Sequence, residues 1–314
     1  MTASSTRLVL LGASAAGWGF GLAALAVSLA SNGGLGHDSR SYWEAGRAVL
    51  DGATLYSNVP IDAPVAYRYP PLFAQMWAPF AVLPEAAFTW LWRLVCLISL
   101  RYLAGPWRNV GLWMLVPLTI TELSSANVTF PVAAMTLAAL DGHEWLVPWA
   151  AALKVGPVVL LPYLWYRGSR RHIVVGGTLL LIAAVVSLVM APSYWGGYLA
   201  SLAQQSSSAA TSGGASGFGN DLIAVMPTVG ADFAVRFAAA MASSLVAIRL
   251  SSGRLAFVAS TLAAPALWGT RLVPLLATPR VPMRSPVPAS RASHLEPVVV
   301  QDPRGANEPG GVAD

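Results

Sequence analysis

The chain is short of charge. Asp, Glu, Lys and Arg make up 11 % of its 314 residues, against about 25 % in an ordinary soluble domain. It has one cysteine, Cys96, set in an apolar segment, which excludes an internal disulfide and a cysteine metal cluster. It has a single lysine, Lys154. No glycine-rich phosphate loop, His-Glu-x-x-His pair or Gly-x-Ser-x-Gly elbow occurs, so neither soluble nucleotide chemistry nor zinc-protease or hydrolase chemistry has a motif to rest on. No cofactor and no metal are expected. The net charge of +5 comes from arginines scattered at segment ends. That distribution marks membrane topology rather than a nucleic-acid surface.

What fills the chain is apolar. Hydrophobic residues reach 55 % and mean hydropathy is +0.58. The length accommodates roughly eight spans of about 20 residues. The fold class expected is therefore all-α: a polytopic integral membrane protein of roughly eight transmembrane or half-membrane helices, with a long first outer loop. Residues 8–30 form a first span, too long for a cleaved signal segment. Arg7 ahead of it, with no further basic residue until Arg40, puts the N-terminus inside and residues 32–70 outside. Residues 72–83 are apolar but too short to cross. Residues 86–104 cross back towards Arg101 and Arg108, and Arg93 within them needs a protein or water partner. Either 110–141 is one broken crossing, or 145–166, interrupted at Lys154-Val155-Gly156-Pro157, folds back on itself. Residues 173–191 are a clean span, and 192–231, which lack Lys and Arg, read as a Ser/Gly-rich, mobile outer loop. Segments 233–250 and 255–277 follow. The domains expected are a membrane domain, 1–278, and a Pro-rich disordered tail, 279–314.

Chemistry concentrates in the first outer loop, His37 to Gly52, closing on Tyr67-Arg68-Tyr69-Pro70-Pro71-Leu72. Asp38 stands just beyond the first span, where a carboxylate is either a general base at the headgroup level or an exposed loop charge. Arg40 and Arg47 follow, each able to hold a phosphate bidentately. Tyr42 and Trp43 fit a helix lying in the interface, with Trp43 as an anchor. Lys154, inside an apolar segment, requires an anion, a water-filled cavity, an escape to the interface, or a pairing with Glu144 or Glu122. Arg271 in the last apolar segment needs a partner for the same reason. Asn127, Asn220 and Trp268 lie at segment ends, where caps and anchors are common.

In order along the chain, these pieces resemble glycosyltransferase family 87, the polyprenyl-phosphate-mannose-dependent alpha-mannosyltransferases of the C-type membrane fold. The loop carries Asp38, Tyr42, Ala45, Asp51-Gly52, Leu55-Tyr56 and Tyr69-Pro70-Pro71-Leu72, followed by Pro79-Phe80-Ala81-Val82-Leu83-Pro84. Ser125-Ala126-Asn127-Val128 is similar to a Gly-Gln-x-Asn turn, and Gly219-Asn220 to an Asn-x-Ser region. The run from Ala152 through Lys154 to Pro157 is similar to a Lys-Pro-x-Pro segment, and Ala264-Pro265-Ala266-Leu267-Trp268 to a Ser-Pro-x-x-Trp segment. The resemblance covers residues 35–277. Ser125 stands for the family's Gln, Val155 for its Pro, and Gly269-Thr270-Arg271 for the stretch with its His. The resemblance implies an inverting transfer at the outer face of the plasma membrane, from a polyprenyl-phosphate sugar to a lipid-linked or cell-envelope glycan. Asp38 would be the base. Arg40, Lys154 and Arg271 would bind the donor phosphate, and Tyr42, Tyr69, Asn127, Asn220 and Trp268 the substrate. Membrane lipid is the other expected partner. The departures leave a second reading open, a non-catalytic relative serving as scaffold or lipid-binding protein. A transporter, which needs polar residues along a midplane path, fits least.

Overall fold

Proline marks the start of several helices. The computed structural model of the chain describes residues 3–31, 36–56, 66–211, 231–263 and 269–281, and leaves the side chains at 269–272 undescribed. Those residues are helical, with no strand among them. The elements are α1 Ala3–Ser31, α2 His37–Leu50, α3 Pro71–Trp77, α4 Glu85–Ala104, α5 Trp107–Met114, α6 Pro117–Ser125 and α7 Thr129–Leu140. They continue with α8 Val147–Leu153, α9 Leu160–Arg167, α10 Arg170–Met190, α11 Pro192–Thr211, α12 Ala231–Leu250 and α13 Gly253–Leu262, then a tighter helix Gly269–Arg280. Pro71, Pro117 and Pro148 lie in first turns, and Pro84 and Pro106 cap the next helices. Proline lacks an N–H that a first turn would leave unpaired anyway, and it cannot continue the preceding helix.

This punctuation shortens the elements. Among the described residues three helices are long and apolar enough to cross a membrane: residues 5–28 of α1, then α4 and α10. A fourth crossing exists if α6 and α7, bent by 106° at their junction, count as one broken span. The apolar windows of α1 and α10 are only 17 % buried against protein, so their outward faces are apolar surface that needs lipid. The chain is a helical membrane protein. The expected spans at 86–104 and 173–191 fall on α4 and α10. Residues 72–83 form α3 and one 310 turn, Ala78–Phe80. The stretches 110–141 and 145–166 are both broken, the second into α8 and α9 at Lys154–Val155. One expectation needs correcting. The segment read as a loop from 192 begins as the 20-residue helix α11, with Pro192 in its first turn, a position that suits proline. Residues 212–230 lie outside the described residues, as do 282–314 of the tail. Residues 279–281 are tied to α13, where Arg254 donates to the carbonyls of Pro279 and Val281 at 3.0 and 3.1 Å.

α4 and α7 pack on each other, with α2 against the start of α4 and α3 against α2 and α10. α1 packs on α5 and α6, and α12 on α13 and α9. The α1–α5 contact is backbone to backbone. A Cβ on Gly17 would overlap the Gly111 carbonyl, and a Cβ on Gly111 would stand 2.5 Å from Ser14 O. Gly19, two residues along, has open space around it. Gly17→Leu should therefore lower thermal stability by at least about 1–3 kcal/mol through overpacking, while Gly19→Leu should leave it unchanged. Unfolding temperatures in detergent check both, and equal values would contradict the close packing.

Candidate functional site

The site grows from the break between α6 and α7. Ala126 ends α6 in the left-handed region, at φ 54°, a conformation costing a non-glycine residue about 1–2 kcal/mol. The turn it makes delivers Asn127. The Asn127 Oδ1 accepts from the Thr129 backbone N–H at 3.1 Å and the Thr129 hydroxyl at 2.9 Å, so the side chain starts α7 by bonding the backbone two residues on. Lys154 reaches in from the second break. Its Nζ donates to Asn127 Oδ1 at 2.8 Å and to Thr129 Oγ1 at 2.7 Å. Both acceptors are neutral, so the ammonium's charge is solvated but not cancelled there. Glu144, one pairing partner expected for Lys154, instead accepts from the Ser169 N–H at 2.9 Å and contacts His172 Nδ1 at 2.9 Å.

α4 clamps the same turn. Buried Arg93 donates to Ser124 O at 3.1 Å and lies 4.9 Å over the Trp90 ring. Here is the partner its position demanded: a helix C-terminus has unpaired carbonyls and partial negative charge. The Cys96 thiol donates to Asn127 O at 3.3 Å.

The outer-loop helix docks on this elbow at its first residue. Gly36, ahead of α2, has room for no side chain, since a Cβ would stand 2.7 Å from Ser125 O. Ser39 and Thr89 join α2 to α4 through their hydroxyls at 3.1 Å. Asp38 thus sits in the first turn of α2 beside the elbow, half-buried, close enough for its charge to act on both Tyr42 and Cys96. Helical spacing puts Asp38 on one face with Tyr42, Ala45 and Val49, and Arg40, Glu44, Arg47 and Asp51 on the other. Arg40 accordingly pairs with Glu44 at 2.7 Å and reaches Glu85 at 3.9 Å on an exposed face. The structure joins Asn127 and Lys154 at the elbow, carries Asp38 on the helix that docks there, and leaves Arg40 on the opposite face of that helix. Arg271 lies in the helix Gly269–Arg280, with its side chain undescribed, and Asn220 and Trp268 lie outside the described residues. Sequence reading missed Thr129 and Gly36. The Asn-x-Thr spacing before an apolar run is a helix-start signal that points to Thr129.

An aromatic floor supports α2. Tyr42 is fully buried, 4.6 Å from the Trp77 ring centre, with Trp92 and Tyr69 edge-on. The Tyr42 and Tyr69 hydroxyls meet at 3.3 Å, and Tyr56 donates to Tyr69 O at 2.7 Å. Burial pushes the phenols of Tyr42, Tyr56 and Tyr67 up, Tyr42 further through Tyr69 and then Asp38. Behind Lys154 a shallow open groove, about 430 Å³ counting its mouth but only about 50 Å³ within, runs between α7 and α13, its walls including Val132, Ala133, Pro157, Phe257 and Pro274. It has a cationic head and a mostly apolar trough that also carries the hydroxyls of Thr136, Ser260 and Thr261. No cluster of three or more His, Cys, Asp or Glu among the described residues is placed to hold a metal ion.

The chain is 30 % identical, over an alignment of 168 residues, to a polyprenol-phosphate-mannose-dependent alpha-(1-2)-phosphatidylinositol mannoside mannosyltransferase of Mycobacterium tuberculosis. The match covers 41 % of this chain and 39 % of that protein, so this chain spans about two fifths of its relative's length. No family model matches the sequence, and no solved structure matches it.

Two outcomes follow from the geometry. Asn127→Ala removes the acceptor shared by Lys154 and α7, and should cost about 2–3 kcal/mol, read as a lowered unfolding temperature. Lys154→Met removes a cation from an apolar wall and should be neutral to stabilising; a large loss there would make the lysine a structural strut. The tyrosines give a pH effect. Their native values lie above their unfolded values near 10, so their contribution is complete below pH 10 and is lost as the pH rises further. Stability should fall above about pH 10, with the share of tyrosinate absorbance that these three rings supply appearing together with unfolding rather than before it.

Proposed function

We propose that this chain is a membrane glycosyltransferase that moves a sugar, mannose, from a polyprenyl-phosphate donor to a lipid-linked or cell-envelope glycan at the outer face of the plasma membrane. The observation that carries this reading is the docking of α2 on the α6–α7 elbow, which sets a carboxylate, Asp38, beside the turn that holds the cation Lys154. The relative's polyprenol-phosphate-mannose dependence supports the donor class.

The chemistry asks for little more. Asp38 accepts the proton of an acceptor hydroxyl, whose oxygen attacks the anomeric carbon from the face opposite the phosphate. The new C–O bond forms as the bond to the phosphate oxygen breaks, with inversion, and polyprenyl phosphate leaves with the electron pair. A phosphate monoester is a good leaving group without protonation, so one base suffices. Lys154 Nζ, solvated by Asn127 and Thr129 but with its charge uncancelled by them, stabilises the negative charge that builds on that phosphate. The prenyl chain takes the apolar trough behind it. Tyr69, with the fully buried Tyr42 bonded to it, backs the face of α2 that carries Asp38.

The test uses purified protein with polyprenyl-phosphate-mannose and membrane glycan acceptors. Asp38→Asn should lower the rate of transfer about a hundred- to ten-thousand-fold while donor binding persists. Lys154→Ala should weaken donor binding about tenfold or more, the equivalent of one charge-assisted contact. Full activity in Asp38→Asn removes the base. Donor binding with no transfer by the wild type selects the scaffold reading instead.

A further inference from the structure

The transferase chemistry leaves a second cavity unused. It opens at the far end of α2, between residues 52–56 and α11, with about 790 Å³ of space including its mouth. None of its lining residues is charged. Thr54, Ser193 and Ser201 supply hydroxyls, Tyr56 and Tyr194 supply rings, and the remaining wall is small or aliphatic. Gly197 lets α11 approach closely, since a Cβ there would stand 3.2 Å from the Tyr56 ring. The Tyr56 ring is fixed by its hydroxyl bond to Tyr69 O and by its contact with Tyr198, 5.8 Å between ring centres.

This chemistry selects among ligands. A phosphate or a metal ion would need charge that the lining does not offer. A lipid tail would gain nothing from the hydroxyls. A neutral polyol uses both features: hydroxyls exchange hydrogen bonds with it, and aromatic faces cover the apolar C–H side of its rings. The position adds a length. Asp38 and residue 52 lie at opposite ends of α2, about 20 Å apart at 1.5 Å per residue. Along that distance the tyrosine series Tyr42, Tyr69, Tyr56 links the Asp38 face to the cleft.

We propose that this cleft binds the distal sugar units of a neutral oligosaccharide acceptor whose reactive end lies at Asp38. The proposal rests on the transferase reading for the identity of that reactive end. It makes the acceptor a glycan of several sugar units rather than a single sugar, because one ring cannot span the length of α2.

The experiment is a binding measurement, independent of turnover. Saturation-transfer NMR records contact between a linear mannotetraose and the purified full chain in detergent. It compares the wild type, Asp38→Asn, and two variants that fill the cleft from opposite walls, Ala53→Trp and Ala200→Trp, each checked for an unchanged unfolding temperature. The wild type and Asp38→Asn should show the tetrasaccharide signal, and a folded filled variant should lose at least most of it. Absence of signal in the wild type, or full retention in both filled variants, overturns the cleft. If binding behaves as described but no sugar transfer is found, the cleft stands and the transferase reading falls. If transfer is found without tetrasaccharide binding, the reverse holds.

Discussion

The chemistry proposed for the site depends on one interaction, the hold of Asn127 and Thr129 on the Lys154 ammonium. A lysine in an apolar wall must be solvated by something, and regular helix interiors have no free oxygen to give. Two helix breaks face each other here, and they supply what regular structure cannot. The first break, at the left-handed Ala126, turns out a side-chain amide. The second, after α8, turns in the lysine. Two charge-assisted hydrogen bonds, about 1.5–3 kcal/mol each, hold the cation without neutralising it.

The same breaks position the carboxylate. Irregular backbone at membrane depth is tolerated only where protein or a cavity satisfies it, and Arg93 and Cys96 of α4 meet the carbonyls of this elbow. Because those carbonyls are held, Gly36 can press α2 directly onto Ser124 and Ser125. Asp38 follows two residues later. Below it the rings of Tyr42, Tyr69, Trp77 and Trp92 make a rigid floor, and Trp43 pins the helix to Leu83 O at 2.9 Å. The arrangement is therefore set by packing: the helix that carries the Asp38 carboxylate docks on the same turn that holds the Lys154 ammonium.

How much of this could be read from the sequence differs by kind of residue. Long apolar runs were legible, and α4 and α10 lie within a few residues of the expected spans. The cost of Arg93 and Lys154 was legible too, since it follows from hydropathy alone. Their partners were not. Lys154 met an amide and a hydroxyl rather than Glu122 or Glu144, and Arg93 met a backbone carbonyl. Those pairings arise from folds tens of residues away, which composition does not encode. Arg40 illustrates the same limit at short range. Two residues from Asp38 in sequence, it is on the opposite side of α2, and Glu44 one turn along takes its charge. The α11 helix was hidden because its Ser/Gly-rich continuation resembles a loop, although Pro192 marks its start. The expectations for Asn220 and Trp268 lie outside the described residues.

The central claim is that Lys154 and Asp38 flank one bound phosphate-linked sugar. An experimental structure of the protein in lipid nanodiscs, with a non-transferable polyprenyl-phosphate-mannose analogue, tests it directly. The account predicts the phosphate within hydrogen-bonding distance of Lys154 Nζ, the prenyl chain along Val132, Pro157 and Phe257, and the sugar towards Asp38. A phosphate bound elsewhere, with Lys154 still held only by Asn127 and Thr129, would contradict it.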